Sequence, residues 1–139
     1  MINDIATRDE MKAVERWENE GGRVSPLNNL WTSLKRLTTE DTSREGQMID
    51  AVHAMRGRVD GAIVNAGAYS HSSLALRDAL VGVSVPFVEV HVTNVYAREP
   101  ERRHSMLAPA AIGGVVGLGV HGYELALRGL VSTLNGARS

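Results

Sequence analysis

Pro86-Phe87-Val88-Glu89-Val90-His91-Val92 reads as a short apolar strand that carries a carboxylate and an imidazole two residues apart. Side chains alternate faces along a strand, so Glu89 and His91 point the same way. A carboxylate beside a histidine fixes the ring's tautomer and favours its protonated form, which is what a general acid needs. The plain alternative is a satisfied strand histidine beside a solvated acid. What tips the pair toward chemistry is the sequence just after it, where Arg98, Arg102, Arg103 and His104 make the same end of the strand an anion site.

Working outward, Gly61-Ala62-Ile63-Val64 is a brief apolar run of the kind found in strands covered on both faces. A further strand is expected near Ile112 to Val116. Between these lie helical patterns, one through Leu74, Ala75, Ala79 and Leu80 and a last one through Tyr123, Leu127, Leu130 and Leu134. Upstream, Thr42-Ser43-Arg44-Glu45 is a capping-box pattern. It opens a helix whose buried stripe is Met48, Ile49, Val52 and Met55 and which Gly57 closes. Strand and helix alternating at this spacing predict an α/β fold, a parallel sheet with helices on both sides.

The first 41 residues are of a different style. Thr7-Arg8-Asp9-Glu10 is another capping-box pattern, with Met11, Val14 and Trp17 on one helical face and Gly21-Gly22 as its end. Ser25-Pro26-Leu27-Asn28-Asn29 reads as a turn, and Trp31 to Leu37 fits a short strand or a helical turn equally well.

With 139 residues, 43% of them hydrophobic and 22% charged, the chain has the size and make-up of a single domain. A net charge of −1 creates no global field to recruit nucleic acid or membrane. Absence of cysteine excludes disulfides, thiolate nucleophiles and Cys-ligated zinc. The N-terminus lacks a basic region followed by an apolar run, and the longest apolar candidate, Ala108 to Val120, is broken by glycines. No signal peptide and no membrane span are expected, and a cytoplasmic location is the simplest expectation.

In open parallel sheets, ligands sit beyond the carboxyl ends of the strands. The segments there carry Asn65 to His71, His91 to Asn94 and Arg98 to His104, an inventory of amide, imidazole, hydroxyl and guanidinium groups that suits a small, oxygen-rich anion. Individually, Asn65 could be a turn residue, His71 a helix cap, and Arg102 with Arg103 a solvated pair. Their convergence on one sheet edge favours a site. Gly117-Leu118-Gly119-Val120-His121-Gly122 matches a dinucleotide-binding pattern, but no later strand brings an acidic residue for the ribose, so close strand-to-helix packing explains these glycines better. The five histidines include no zinc-protease spacing, and no nucleophile elbow or Walker loop is present, so no metal or cofactor is expected.

Asn65-Ala66-Gly67-Ala68-Tyr69-Ser70-His71-Ser72-Ser73-Leu74-Ala75-Leu76-Arg77-Asp78, then Glu89 to Asn94, then Ala97-Arg98 with Arg102-Arg103-His104-Ser105, and finally Gly117 to Tyr123, together resemble type II 3-dehydroquinate dehydratase. The resemblance runs from about Glu45 to Leu130. It implies a flavodoxin-like three-layer sandwich over a single domain 1–139, with residues 1–41 a divergent segment and 42–139 a dehydroquinase-like core. It also implies cofactor-free, reversible loss of water from 3-dehydroquinate in the shikimate or quinate pathway, by homo-oligomers built of trimers, often grouped as a dodecamer. By motif, His91 corresponds to the general acid and Glu89 to the residue that orients it. Asn65, His71 and Arg102 correspond to residues that hold substrate hydroxyls, and the backbone amides of Val92 and Thr93 to the carboxylate cradle. Asp78 corresponds to a residue that reaches a neighbouring subunit's site. The family's first strand, its lid arginine and its catalytic tyrosine have no counterpart here, since no tyrosine precedes Tyr69. Three functional expectations follow from this: a dehydratase with a changed front end, a non-catalytic relative that binds a cyclic polyhydroxy acid or joins complete subunits, or a lyase with a different base and substrate.

Overall fold

The computed structural model describes residues 44–136. The expected helix after Thr7, the turn at Ser25, the segment Trp31 to Leu37, and Thr42 itself lie outside the described residues. Among the described residues four helices and three strands follow one another, with single 3-10 turns in the long connection after the second strand.

Helix α1, Glu45–Ala54, starts after an extended Arg44 that has no side-chain cap. The described helix begins at Glu45. Glu45 accepts a hydrogen bond from Ser73 Oγ, tying the start of α1 to the start of a later helix. Met48, Ala51, Val52 and Met55 are buried, with Ile49 partly so. The chain then reverses at Gly57, whose φ of +69° is readily available only to glycine.

Strand β1, Ala62–Val64, leads through a tight turn into the single-turn helix α2, Tyr69–Ser72. Helix α3, Leu74–Val83, is capped by Ser73, whose Oγ accepts from the Leu76 amide at 2.9 Å. His71, considered as a cap from sequence, lies in α2 instead, because Ser73 is the residue with extended backbone at the helix entrance. Strand β2, Phe87–His91, is buried at all five positions. After the long connection come β3, Gly113–Val116, and helix α4, His121–Gly136.

The strands lie in the order β1-β2-β3, all parallel, with Val64 opposite Glu89 and His91 opposite Val116. Alternation along the strands sorts the apolar side chains into two cores. Ile63, Val88 and Val90 pack under Tyr123, Leu127 and Leu130 of α4. Ala62, Val64 and Phe87 pack on the other face against α1, α3 and Leu107. The result is an α/β/α sandwich, as the apolar runs on both strand faces predict. Among the described residues β1 has one strand neighbour, yet Ala62, Ile63 and Val64 are 0%, 1% and 4% exposed. β2 is the middle strand, and it ends at His91.

Leu130 is fully buried, and Gly61 makes room for it: a Cβ at Gly61 would stand 3.0 Å from Leu130 Cδ1. Leu130→Ala should lower stability by roughly 2–5 kcal/mol, the cost of a lost buried isobutyl group plus its cavity. The check is urea unfolding, where the midpoint falls while the slope stays constant.

Candidate active site

Glu89 and His91 are both buried, at 3% and 7% exposure, and His91 Nε2 lies 2.8 Å from Glu89 Oε1. The same carboxylate oxygen accepts a hydrogen bond from Ser105 Oγ at 2.6 Å. An ionised carboxylate accepts only, so Nε2 carries the ring proton toward Glu89, and Nδ1 is the nitrogen left to serve the other side. His71 stacks on this ring with centroids 5.8 Å apart and planes 20° from parallel. His71 Nδ1 lies 2.7 Å from the carbonyl of His104. A carbonyl can only accept, so Nδ1 is the donor and the free lone pair of neutral His71 is on Nε2.

These groups line a cavity of about 490 Å³. His71, Glu89 and His91 meet Arg102, Arg103, His104 and Ser105 across it, with Tyr96 at its rim and Val95, Ala108, Pro109 and Val116 as apolar wall. The arginines are held from outside. Arg102 Nε donates to Glu99, and Arg103 Nε donates to the Arg98 carbonyl at 2.8 Å. The Glu99 carboxyl is held below the ordinary carboxylate value, first by a hydrogen bond from its own backbone N–H, then by Arg102 and the nearby charge of Arg98.

Of the residues expected from sequence, Glu89, His91, His71 and Arg102 come together in this cavity. Val92 and Thr93 follow β2 directly, at the cavity's end of the sheet. Asn65 directly follows β1 and is not among the residues that line this cavity. Its Nδ2 donates to Tyr123 Oη at 2.6 Å and its Oδ1 accepts from the Gly67 amide at 3.1 Å. Asn65 is thus both a turn residue and a side chain aimed by a tyrosine of α4. Asp78 is elsewhere: it is exposed on α3 and lines a separate groove of about 650 Å³ with His53 and Arg56 of the α1 side.

Sequence reasoning gave no site role to Ser105, Tyr96 or Tyr123. Ser105 has no spacing signal, because it reaches Glu89 across 16 residues through a folded connection. The glycine pattern at 117–122 proves to be mixed. Gly122 packs on the sheet, where a Cβ would meet Val115 and Val90 at 3.4 and 3.5 Å, as expected. Gly117 and Gly119 instead adopt φ of +83° and +59°, and their amides donate to the carbonyls of His91 and Val92 at 2.9 and 3.0 Å. The turn after β3 therefore closes the end of β2 rather than cradling a phosphate. Among the described residues no three His, Asp or Glu are grouped to hold a metal ion, and no helix is long and apolar enough to cross a membrane.

The model of the family described as dehydroquinase class II matches residues 27–131. The chain belongs to this family. It is 60% identical over 99 residues to a 3-dehydroquinate dehydratase of Gemmatimonas aurantiaca, covering 71% of this chain and 65% of that protein. It is 54% identical over 91 residues to a catabolic 3-dehydroquinase of Aspergillus oryzae, covering 66% and 60%. The chain thus spans less than two thirds of the length of these two relatives. Among solved structures, the type II dehydroquinase of Butyrivibrio crossotus superposes with a TM-score of 0.62 at 41% identity, covering 64% of this chain and 63% of the other. The three-layer parallel arrangement is accordingly the flavodoxin-like fold expected from sequence.

A lowered folded-state carboxyl contributes stability above its unfolded value and loses it as pH falls through the folded one. The Glu99–Arg102 bond should therefore persist through pH 4.5, the ordinary glutamate value, and release only below it. Carbon-detected NMR titration of the Glu99 carboxyl should show a midpoint under 4.5, and Arg102→Ala should move it part of the way back up.

Proposed function

We propose that this chain dehydrates 3-dehydroquinate to 3-dehydroshikimate, reversibly and without a cofactor. The observation that carries this reading is the buried Glu89–His91 pair at the wall of a cavity that also holds Arg102, Arg103 and His71. Loss of water from a β-hydroxy ketone needs a base for the α-proton, stabilisation of the enolate, and an acid for the departing hydroxyl. His91 is the acid: Glu89 holds Nε2, and Nδ1 of the protonated ring hands its proton to the leaving oxygen, while the α-proton goes to a separate base, a role that none of the residues assigned here fills. Glu89 orients the ring and balances its charge while it is protonated. Arg102, His71 and Asn65 hold substrate hydroxyls, and the amides of Val92 and Thr93 cradle the carboxylate.

Asp78 lies outside the His91 cavity, which supports its assignment to a neighbouring subunit's site. We assign the protein to the cytoplasm as a homo-oligomer of trimers, grouped further as a dodecamer. Light scattering should then give at least three times the chain mass of 15.0 kDa, and a monomer would remove the shared-site assignment of Asp78.

The direct test is to incubate purified protein with 3-dehydroquinate and follow enone absorbance. Turnover is expected. His91→Ala should reduce it by about 10²–10⁴, the usual contribution of a positioned acid or base. Absence of turnover in the unaltered protein, with thermal stabilisation by the compound, would replace catalysis with binding. Absence of both effects would overturn the reading.

A further inference from the structure

We infer that Ser105 is a positioning residue for His91, acting through Glu89, and that the segment His104–Leu107 sets the ring orientation of both cavity imidazoles. The kinetic part of this inference rests on the dehydratase reading; the structural part does not.

The inference follows from the valence of one hydroxyl. A serine has one proton to give and two lone pairs to receive. Ser105 Oγ accepts from the backbone amides of Leu107 and Ala108, each at 3.1 Å. Both lone pairs are thereby used, and the proton is left for Glu89 Oε1 at 2.6 Å. That oxygen also receives His91 Nε2. Two donors converge on one carboxylate oxygen, and the hydroxyl, unlike the imidazole, is locked to backbone on its far side. Ser105 thus restrains rotation of the Glu89 carboxylate and keeps its acceptor oxygen in line with Nε2. Without the hydroxyl, a carboxylate with one remaining donor can turn, and the ring can turn with it.

The segment that carries Ser105 is itself anchored. Leu107 is fully buried in the core beneath α3, and the Met106 amide donates to the Ser70 carbonyl at 2.8 Å. One residue earlier, the His104 carbonyl takes Nδ1 of His71. A four-residue strap therefore fixes the tautomer of His71 with a carbonyl and that of His91 with a hydroxyl-braced carboxylate. The two rings stack because both are tied to the same strap.

The test compares Ser105→Ala with Ser105→Thr, which keeps the hydroxyl. In protein labelled with nitrogen-15 at histidine, the His91 Nε2–H proton should give a resonance protected from solvent exchange, assigned by its loss in His91→Asn. Ser105→Ala should abolish or broaden that resonance, and Ser105→Thr should retain it. With 3-dehydroquinate, Ser105→Ala should lower kcat by about 10- to 100-fold, as loss of a hydrogen bond to a charged group does. KM should stay within about twofold, and Ser105→Thr should restore most of the rate. If Ser105→Ala does not fold, Ser105→Cys, whose thiol is a weak donor, takes its place beside Ser105→Thr. An unchanged His91 resonance in the hydroxyl-lacking variant, or equal losses in the variants with and without a hydroxyl, would overturn the inference. A Ser105-dependent resonance in a protein without turnover would instead leave the positioning role standing and count against the dehydratase reading alone.

Discussion

A buried carboxylate must have donors, and the site is organised around meeting that need. Glu89 sits on the middle one of the three described strands at 3% exposure, where an ionised group without partners would be strongly disfavoured. His91 supplies one donor from the same strand face, and Ser105 supplies the other from a distant connection. The imidazole is local by construction, since residues two apart on a strand share a side. The hydroxyl is not, and bringing it there requires the whole polar connection between β2 and β3 to fold back over the sheet end.

That folding-back is driven by ordinary apolar burial. Leu107 enters the core between α3 and the sheet, and its position determines where His104, Ser105 and Met106 fall. The glycine turn after β3 completes the enclosure. A side chain at Gly117 would lie 3.1 Å from Asn94 Cβ, so the turn can sit against the end of β2 only without one. Its amides take up the carbonyls of His91 and Val92, which would otherwise end the strand unpaired. The carboxyl end of the middle strand is therefore braced on one side by a strap and on the other by a turn.

Much of the fold was legible in order. The strands at Ala62–Val64, Phe87–His91 and Gly113–Val116 lie within the runs expected from apolar content, and α3 and α4 lie where helical spacing placed them. At the start of α1, Glu45 takes a partner that the sequence pattern does not name, the hydroxyl of Ser73. A capping pattern names residues able to cap, and a tertiary partner for the glutamate competes with the local one. In the site, Glu89, His91, His71 and Arg102 were legible because strand alternation and the sheet-end rule are short-range or topological. Ser105 and Tyr123 were not, because each meets a partner far away in the chain, 16 and 58 residues off, and only the packing of the core brings them together.

The amino-acid order alone determined that Glu89 and His91 share a strand face, that helices must cover both sides of that strand, and that basic groups follow it. These depend on periodicity and composition, which are local properties of the chain. The tertiary structure decided which nitrogen of His91 is held, which donors complete Glu89, and that Asp78 opens on a different groove from His91. Those outcomes depend on where residues far apart in the chain come to rest, and close packing of the two cores sets that.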